Sequence, residues 1–144
     1  MCRSLALLAF ILSQVSITHA CTTFQMSSFE KKIMGKSYDW HLTHGMVIVN
    51  KRNIAKTALT FNPLETPASW VSKYGTVTFN QYGREFPLGG INEKGLAVEI
   101  MWLDETQYPE KDSRKSLNEL QWIQYQLDNY SKVIEVVKDA EKTG

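Results

Sequence analysis

The spacing of apolar residues changes character several times along the 144-residue chain, and each change predicts a different element. Residues 5–12 form one continuous apolar run. Residues 21–26 and 32–40 are β-prone, with the polar residues 27–31 between them. They predict a hairpin that returns the stretch Gly35-Lys36-Ser37-Tyr38-Asp39-Trp40 to the side of residue 21. Further strands are expected at 46–50, 57–61, 75–79 and 96–103, which are rich in Val, Ile, Thr and aromatics. Pro63 and Pro67 mark a loop, and Pro87-Leu88-Gly89-Gly90 is expected to be a tight turn. Asn92-Glu93-Lys94-Gly95 then reads as a hairpin tip whose glycine supplies positive φ. After a polar loop at 104–114 the period becomes helical, with Leu117, Leu120, Ile123, Gln124 and Leu127 on one face. Ser116 and Glu119 have the spacing of a capping box that starts this helix. Ser131 is expected to start a second helix, with Val133, Val136 and Val137 inward. Strands followed by helices predict an α+β fold or layered sheets with a helical cover.

The first twenty residues differ in kind from the rest. A short start with the single charge Arg3, the apolar run and the small-residue finish Thr18-His19-Ala20 have the layout of a secretory signal peptide cleaved after Ala20. A membrane anchor is the weaker reading, because Ser13, Gln14, Ser16, Thr18 and His19 break the run short of the roughly 20 residues a span needs. The expected organisation is therefore a signal at 1–20 and one domain at 21–144, exported to a periplasm or the extracellular space. Removing the signal also removes Cys2 and leaves Cys21 as the lone cysteine and the new first residue. An unpaired thiol in an oxidising compartment points to intermolecular pairing or to a use for its reactivity. A different use of the same junction is a lipoprotein anchored through Cys21, which excludes catalysis by that residue.

The remaining composition narrows the partners. Net charge is +1, with acidic and basic residues interleaved, so there is no footprint for a nucleic-acid backbone or an anionic membrane. A small molecule in a pocket is the expected partner, and a homo-oligomer stays open.

A terminal cysteine makes a specific chemistry available. A thiol attacks an amide carbonyl as thiolate, and an ordinary cysteine near pKa 8.5 needs a base at neutral pH. The α-amino group of a first residue, ordinarily about 7.7 to 8.0, can take that proton directly or through one water. No catalytic histidine is then required, and His41 and His44 read as surface or loop residues. Asp39 is the candidate to hold the α-amine, and Lys36 the candidate cation beside the thiolate. Strict alternation would put these two on opposite faces unless the strand is interrupted between them. Asn92 can offer a backbone N–H and a side-chain amide to an oxyanion, or can simply be part of a good turn. No metal and no cofactor is needed. Phe24, Trp40, Met46, Trp70, Tyr82 and Phe86 are candidates to line an acyl pocket, with plain core packing as the alternative for each.

Three stretches in this order, Cys21-Thr22-Thr23-Phe24, Gly35 to Trp40, and Gly89-Gly90-Ile91-Asn92-Glu93-Lys94-Gly95-Leu96, resemble the choloylglycine hydrolase family of linear amide hydrolases. Penicillin V acylases and conjugated bile salt hydrolases belong to that family. The resemblance implies an N-terminal-nucleophile hydrolase fold, four αββα layers with two antiparallel sheets between helices. It makes Cys21 the nucleophile, Asp39 the partner of its amine and Asn92 an oxyanion donor. Lys36 falls where the family usually carries arginine. Family members run to about twice this length, so the chain is expected to be an N-terminal portion, incomplete at its C-terminal end. The implied activity is hydrolysis of N-acyl amides through a thioester. A truncated, non-catalytic member is the alternative.

Overall fold

A computed structural model describes residues 21–108 and 112–140; the expected signal at 1–20 lies outside the described residues. The chain divides into two compact units, one ending at His41 and the other beginning at Leu42.

In the first unit, β1 (Thr22–Ser27) and β2 (Lys32–Ser37) form the expected antiparallel hairpin, with Thr22 opposite Ser37 and Ser27 opposite Lys32. Ser28 N–H donates to the Lys31 carbonyl and closes the turn. At the open end, Thr22 N–H donates to Ser37 Oγ over 3.1 Å. The second strand stops there, three residues short of the expected end at Trp40.

The second unit is built on a four-stranded antiparallel sheet of β3 (Met46–Asn50), β6 (Thr76–Asn80), β7 (Pro87–Asn92) and β8 (Ala97–Glu99), in that spatial order. A separate ribbon pairs β4 (Ala55–Thr57) with β5 (Ser69–Val71). Helix α1 (Glu119–Asn129) lies over β7 and β8, and α2 (Val133–Ala140) follows it. The result is the α+β class with antiparallel sheets. Ala58, Ala68 and Trp70 form a small apolar core, with Leu117 and Tyr125 packed against it.

Several expectations are corrected. Pro87 to Gly90 is a strand rather than a tight turn, because its glycines answer a demand of packing. A Cβ on Gly90 would stand 2.5 Å from the Val77 carbonyl oxygen and 2.9 Å from Thr78 Cα, so only glycine lets β7 lie this close to β6. The expected strand at 57–61 is displaced to 55–57, and its partner at 69–71 had no alternation long enough to read. The strand expected at 96–103 is confined to Ala97–Glu99. Ser116 does not cap α1, since its own backbone is held to residues 66 and 68. Asn118 caps instead, its Oδ1 accepting the Gln121 N–H at 2.9 Å. Ser131 does stand before the second helix, its N–H and hydroxyl both donating to Glu135 Oε2. Val133 and Val137 are exposed, however; the buried residue of α2 is Asp139, which accepts from Tyr130 Oη at 2.7 Å and Gln126 Nε2 at 3.2 Å. Burial, together with donation to Asp139, raises the Tyr130 phenol above its ordinary range.

The sheet also inverts the usual patterning. Asn50, Thr76, Thr78 and Asn92 share the face toward α1, where Gln124 Nε2 donates to Thr76 Oγ1 and Asn50 Nδ2 to Thr78 Oγ1. The opposite face carries Val47, Val49, Val77, Phe79 and Ile91, all exposed. At the centre of the polar layer, Asp128 is 0% exposed and accepts from Trp70 Nε1 at 2.7 Å and Gln124 Nε2 at 2.8 Å. The buried Lys56 ammonium lies 2.9 Å from the same carboxylate. The Asp128 carbonyl takes the N–H groups of Lys73 and Tyr74 as well.

Asp128→Ala strands a buried ammonium and an indole N–H, so it is expected to cost about 3–5 kcal/mol in urea denaturation. Gly90→Ala, which forces backbone apart, is expected to cost about 1–3 kcal/mol. Gly89→Ala meets only the movable Glu99 carboxylate and is expected to cost clearly less. Equal losses at the two glycines would refute the packing account of Gly90.

Candidate functional site

The first unit carries Cys21, Lys36 and Asp39, three of the candidate site residues. Cys21 is half-buried, is not in a disulfide, and directly precedes β1. Thr23 pairs with Lys36 and Thr22 with Ser37, and Cys21 directly precedes this last pair. Paired residues of an antiparallel ladder project to the same face. Thr23 and Lys36 therefore share a face, while Phe24 lies on the other, its ring over Gly35. Because β2 ends at Ser37, alternation does not govern Asp39, an exposed residue two positions beyond the last pair. The geometric conflict between Lys36 and Asp39 that a continuous strand would create is thus absent.

Rings line the outgoing segment. Lys36 Nζ sits 5.5 Å from the Tyr38 ring centroid, Tyr38 meets Trp40 at 6.1 Å, and Trp40 meets His41 at 4.8 Å. Tyr38 was not among the residues singled out from the sequence. Its spacing of two from both Lys36 and Trp40 was the available signal. His41 and His44 are exposed, as expected of surface positions.

In the second unit, Asn92 is 4% exposed and fully engaged. Its Nδ2 donates to the carbonyls of Leu127 (2.9 Å) and Tyr130 (2.7 Å) at the end of α1. Its Oδ1 accepts the N–H groups of Lys94 (3.0 Å) and Leu96 (3.1 Å), and its own N–H donates to the Leu96 carbonyl. The side chain therefore closes the turn and ties it to the helix. Gly95 supplies the positive φ of that turn, at 83°. Beside it, the Arg52 guanidinium, with the Gly75 N–H, holds the Glu93 carboxyl below the usual carboxylate range.

The candidate pocket residues divide between the units. Phe24 and Trp40 are exposed on the first, and Met46 and Tyr82 are exposed and Phe86 half-buried on the second. Trp70 is core: only 9% exposed, it stacks edge-on against Tyr125 and donates to Asp128. One edge of it reaches a cavity of about 240 Å³ that Lys56, Gln121 and Gln124 also line. Among the described residues no three His, Cys, Asp or Glu side chains cluster as metal ligands, and no helix is long and apolar enough to cross a membrane.

Asn92→Ala leaves two carbonyls and two N–H groups without their partners, and is expected to destabilise the second unit by about 1–3 kcal/mol or more. Urea denaturation followed at the tryptophans measures it. An unchanged midpoint would show that these four bonds hold nothing.

The chain is similar to known proteins. Residues 21–144 match the model of the linear amide C-N hydrolases, choloylglycine hydrolase family. A penicillin V acylase of Pectobacterium atrosepticum is 38% identical over 80 residues, which cover 51% of this chain and 21% of that protein. The solved penicillin V acylase of Agrobacterium tumefaciens matches with a TM-score of 0.69 and 29% identity, over 85% of this chain and 38% of that one. The likeness gives the chain the α+β fold of the N-terminal-nucleophile hydrolases. The chain spans about a fifth of the Pectobacterium protein's length.

Proposed function

Because the chain belongs to the choloylglycine hydrolase family of linear amide C-N hydrolases, we propose that it cleaves N-acyl amides through a thioester on Cys21, once a signal peptidase has removed residues 1–20. The export route ends in a periplasm or the extracellular space. The observation that carries the proposal is the hairpin itself. Cys21 directly precedes one strand, Lys36 lies in the other, and Asp39 follows two residues beyond its end, which supports the reading.

The steps follow from those positions. The freed α-amine of Cys21 accepts the thiol proton, and Asp39 stabilises the ammonium that forms. The Cys21 thiolate attacks the acyl carbon, the C–N bond breaks, and the ammonium returns its proton to the departing amine. Water, deprotonated by the same α-amine, then attacks the thioester; the carboxylic acid leaves and the thiol is restored. Lys36 favours the thiolate by charge.

Asn92 enters this reading differently from the other three residues. An oxyanion role would require its amide to release the Leu127 and Tyr130 carbonyls. We assign it instead to holding the β7–β8 turn against α1. Trp70 is likewise assigned to the core, which leaves Phe24, Trp40, Met46, Tyr82 and Phe86 as the aromatic and apolar candidates for the acyl group. Penicillin V is the first substrate to try, since the two relatives are acylases of that compound, with conjugated bile salts and other N-acyl amines after it.

Intact mass spectrometry of the exported protein tests the proposal. The expected product begins at Cys21 with a free amine, gains the acyl mass on brief exposure to penicillin V, and fails to gain it as Cys21→Ala. Asp39→Asn is expected to slow acylation by roughly 10²-fold. A diacylglyceryl increment would favour a lipoprotein anchored through Cys21. A free terminus that never acylates with any N-acyl amide would favour a non-catalytic member.

A further inference from the structure

Tyr38 directly follows β2, two residues after the candidate cation Lys36, and its ring meets the Lys36 ammonium. We propose that Tyr38 is a positioning residue, whose ring holds the Lys36 ammonium near the end of the hairpin that Cys21 adjoins. The inference rests on the reading of Cys21 as the nucleophile.

Three observations meet at this ring. Lys36 Nζ lies 5.5 Å from its centroid, within the roughly 6 Å over which an aromatic face attracts a cation. The ladder that pairs Thr23 with Lys36 ends at Thr22 and Ser37, and Cys21 and Tyr38 are the residues that directly adjoin this last pair. Tyr38 also meets Trp40, at 6.1 Å and 39°, so the ring has an indole as well as an ammonium for a neighbour. Lys36 and Tyr38 are both half-buried, the setting in which a cation–π contact is stronger than at an open surface.

Lysine needs such a support. Its charge is a compact point at the end of a flexible four-carbon stem, so without a fixed partner it occupies many positions. A thiolate gains from a cation only while that cation is near. The electron-rich ring makes one position of the stem preferable, the one beside Tyr38. Because the ring is neutral, it does this without competing for the positive charge as a carboxylate would.

The test uses the full chain processed to begin at Cys21, which is then its sole cysteine, and follows alkylation by iodoacetamide across about pH 6 to 10, around the ordinary thiol value. Tyr38→Leu is expected to slow alkylation near neutral pH by roughly threefold and to move the profile to higher pH, the size of one cation–π contact. Tyr38→Phe keeps the ring and is expected to keep the profile. Tyr38→pentafluorophenylalanine keeps the shape but reverses the charge of the ring face, so it should behave like Tyr38→Leu even if the leucine variant folds poorly. In a Lys36→Met background, Tyr38→Leu should add nothing. A reactive Cys21 whose profile is the same with tyrosine and with the fluorinated ring would overturn the role of Tyr38 and leave the nucleophile intact. A wild-type Cys21 no more reactive than a peptide thiol would overturn both.

Discussion

The second unit depends on one buried carboxylate. Asp128 gathers an indole N–H from β5, an ammonium from β4 and an amide from its own helix, while its backbone carbonyl receives the two N–H groups that follow β5. A charge this deep is tolerable only when it is paired and hydrogen-bonded. Satisfying it fixes where the helix sits relative to the β4–β5 ribbon. A hydrophobic contact could slide by half a residue; two hydrogen bonds and an ion pair on one carboxylate cannot. That rigidity reaches the turn after β7, because Asn92 binds the carbonyls of Leu127 and Tyr130, on either side of the Asp128 segment.

This arrangement explains which parts of the fold could be read from the sequence. Periodicity found the hairpin, β3, β6 and the helix, since each carries a clear period of two or nearly four. It misjudged what those periods meant. Alternation in Thr76-Val77-Thr78-Phe79-Asn80 shows a two-faced strand, and hydrophobicity alone would turn valine and phenylalanine toward the helix. The opposite holds, because α1 itself presents Gln121, Gln124 and Asp128, and polar side chains on strand and helix satisfy one another. The same reversal appears in α2, where Val133 and Val137 are outside and Asp139 is inside. Only the partner surface decides such cases, and a single strand's sequence does not contain it.

Glycine and asparagine mislead for a related reason. Both residue types serve turns and close contacts, and their one-letter pattern is the same in either use. At Gly95 the backbone does require a positive φ. At Gly90 the requirement is room for the neighbouring strand, and the surrounding Pro-Leu-Gly-Gly has the composition of a turn while forming the best-covered strand of the sheet. Asn92 likewise has a pattern open to two readings, an oxyanion donor or part of a good turn, and its four side-chain hydrogen bonds go to the turn and the helix end. Its neighbours in sequence suggested the tip; the helix end that it binds lies thirty-five residues away.

The hairpin is the contrasting case, because the chemistry proposed for it is local. A first residue that contains both the sulfur and the amine needs little from distant chain, and the cation, the ring and the carboxylate all follow within one turn of antiparallel strand. Their order is therefore visible as a short motif. What a motif cannot convey is which residues share a face once the strand has ended, and it is the stop at Ser37 that frees Asp39 from alternation. Ending β2 there lets a strand spaced in twos bring two charges an odd number of residues apart to the service of one cysteine. Extending β2 through Asp39 would restore alternation and turn the carboxylate to the face opposite Lys36. The length of this strand, as much as the identity of its residues, is thus a condition of the proposed chemistry.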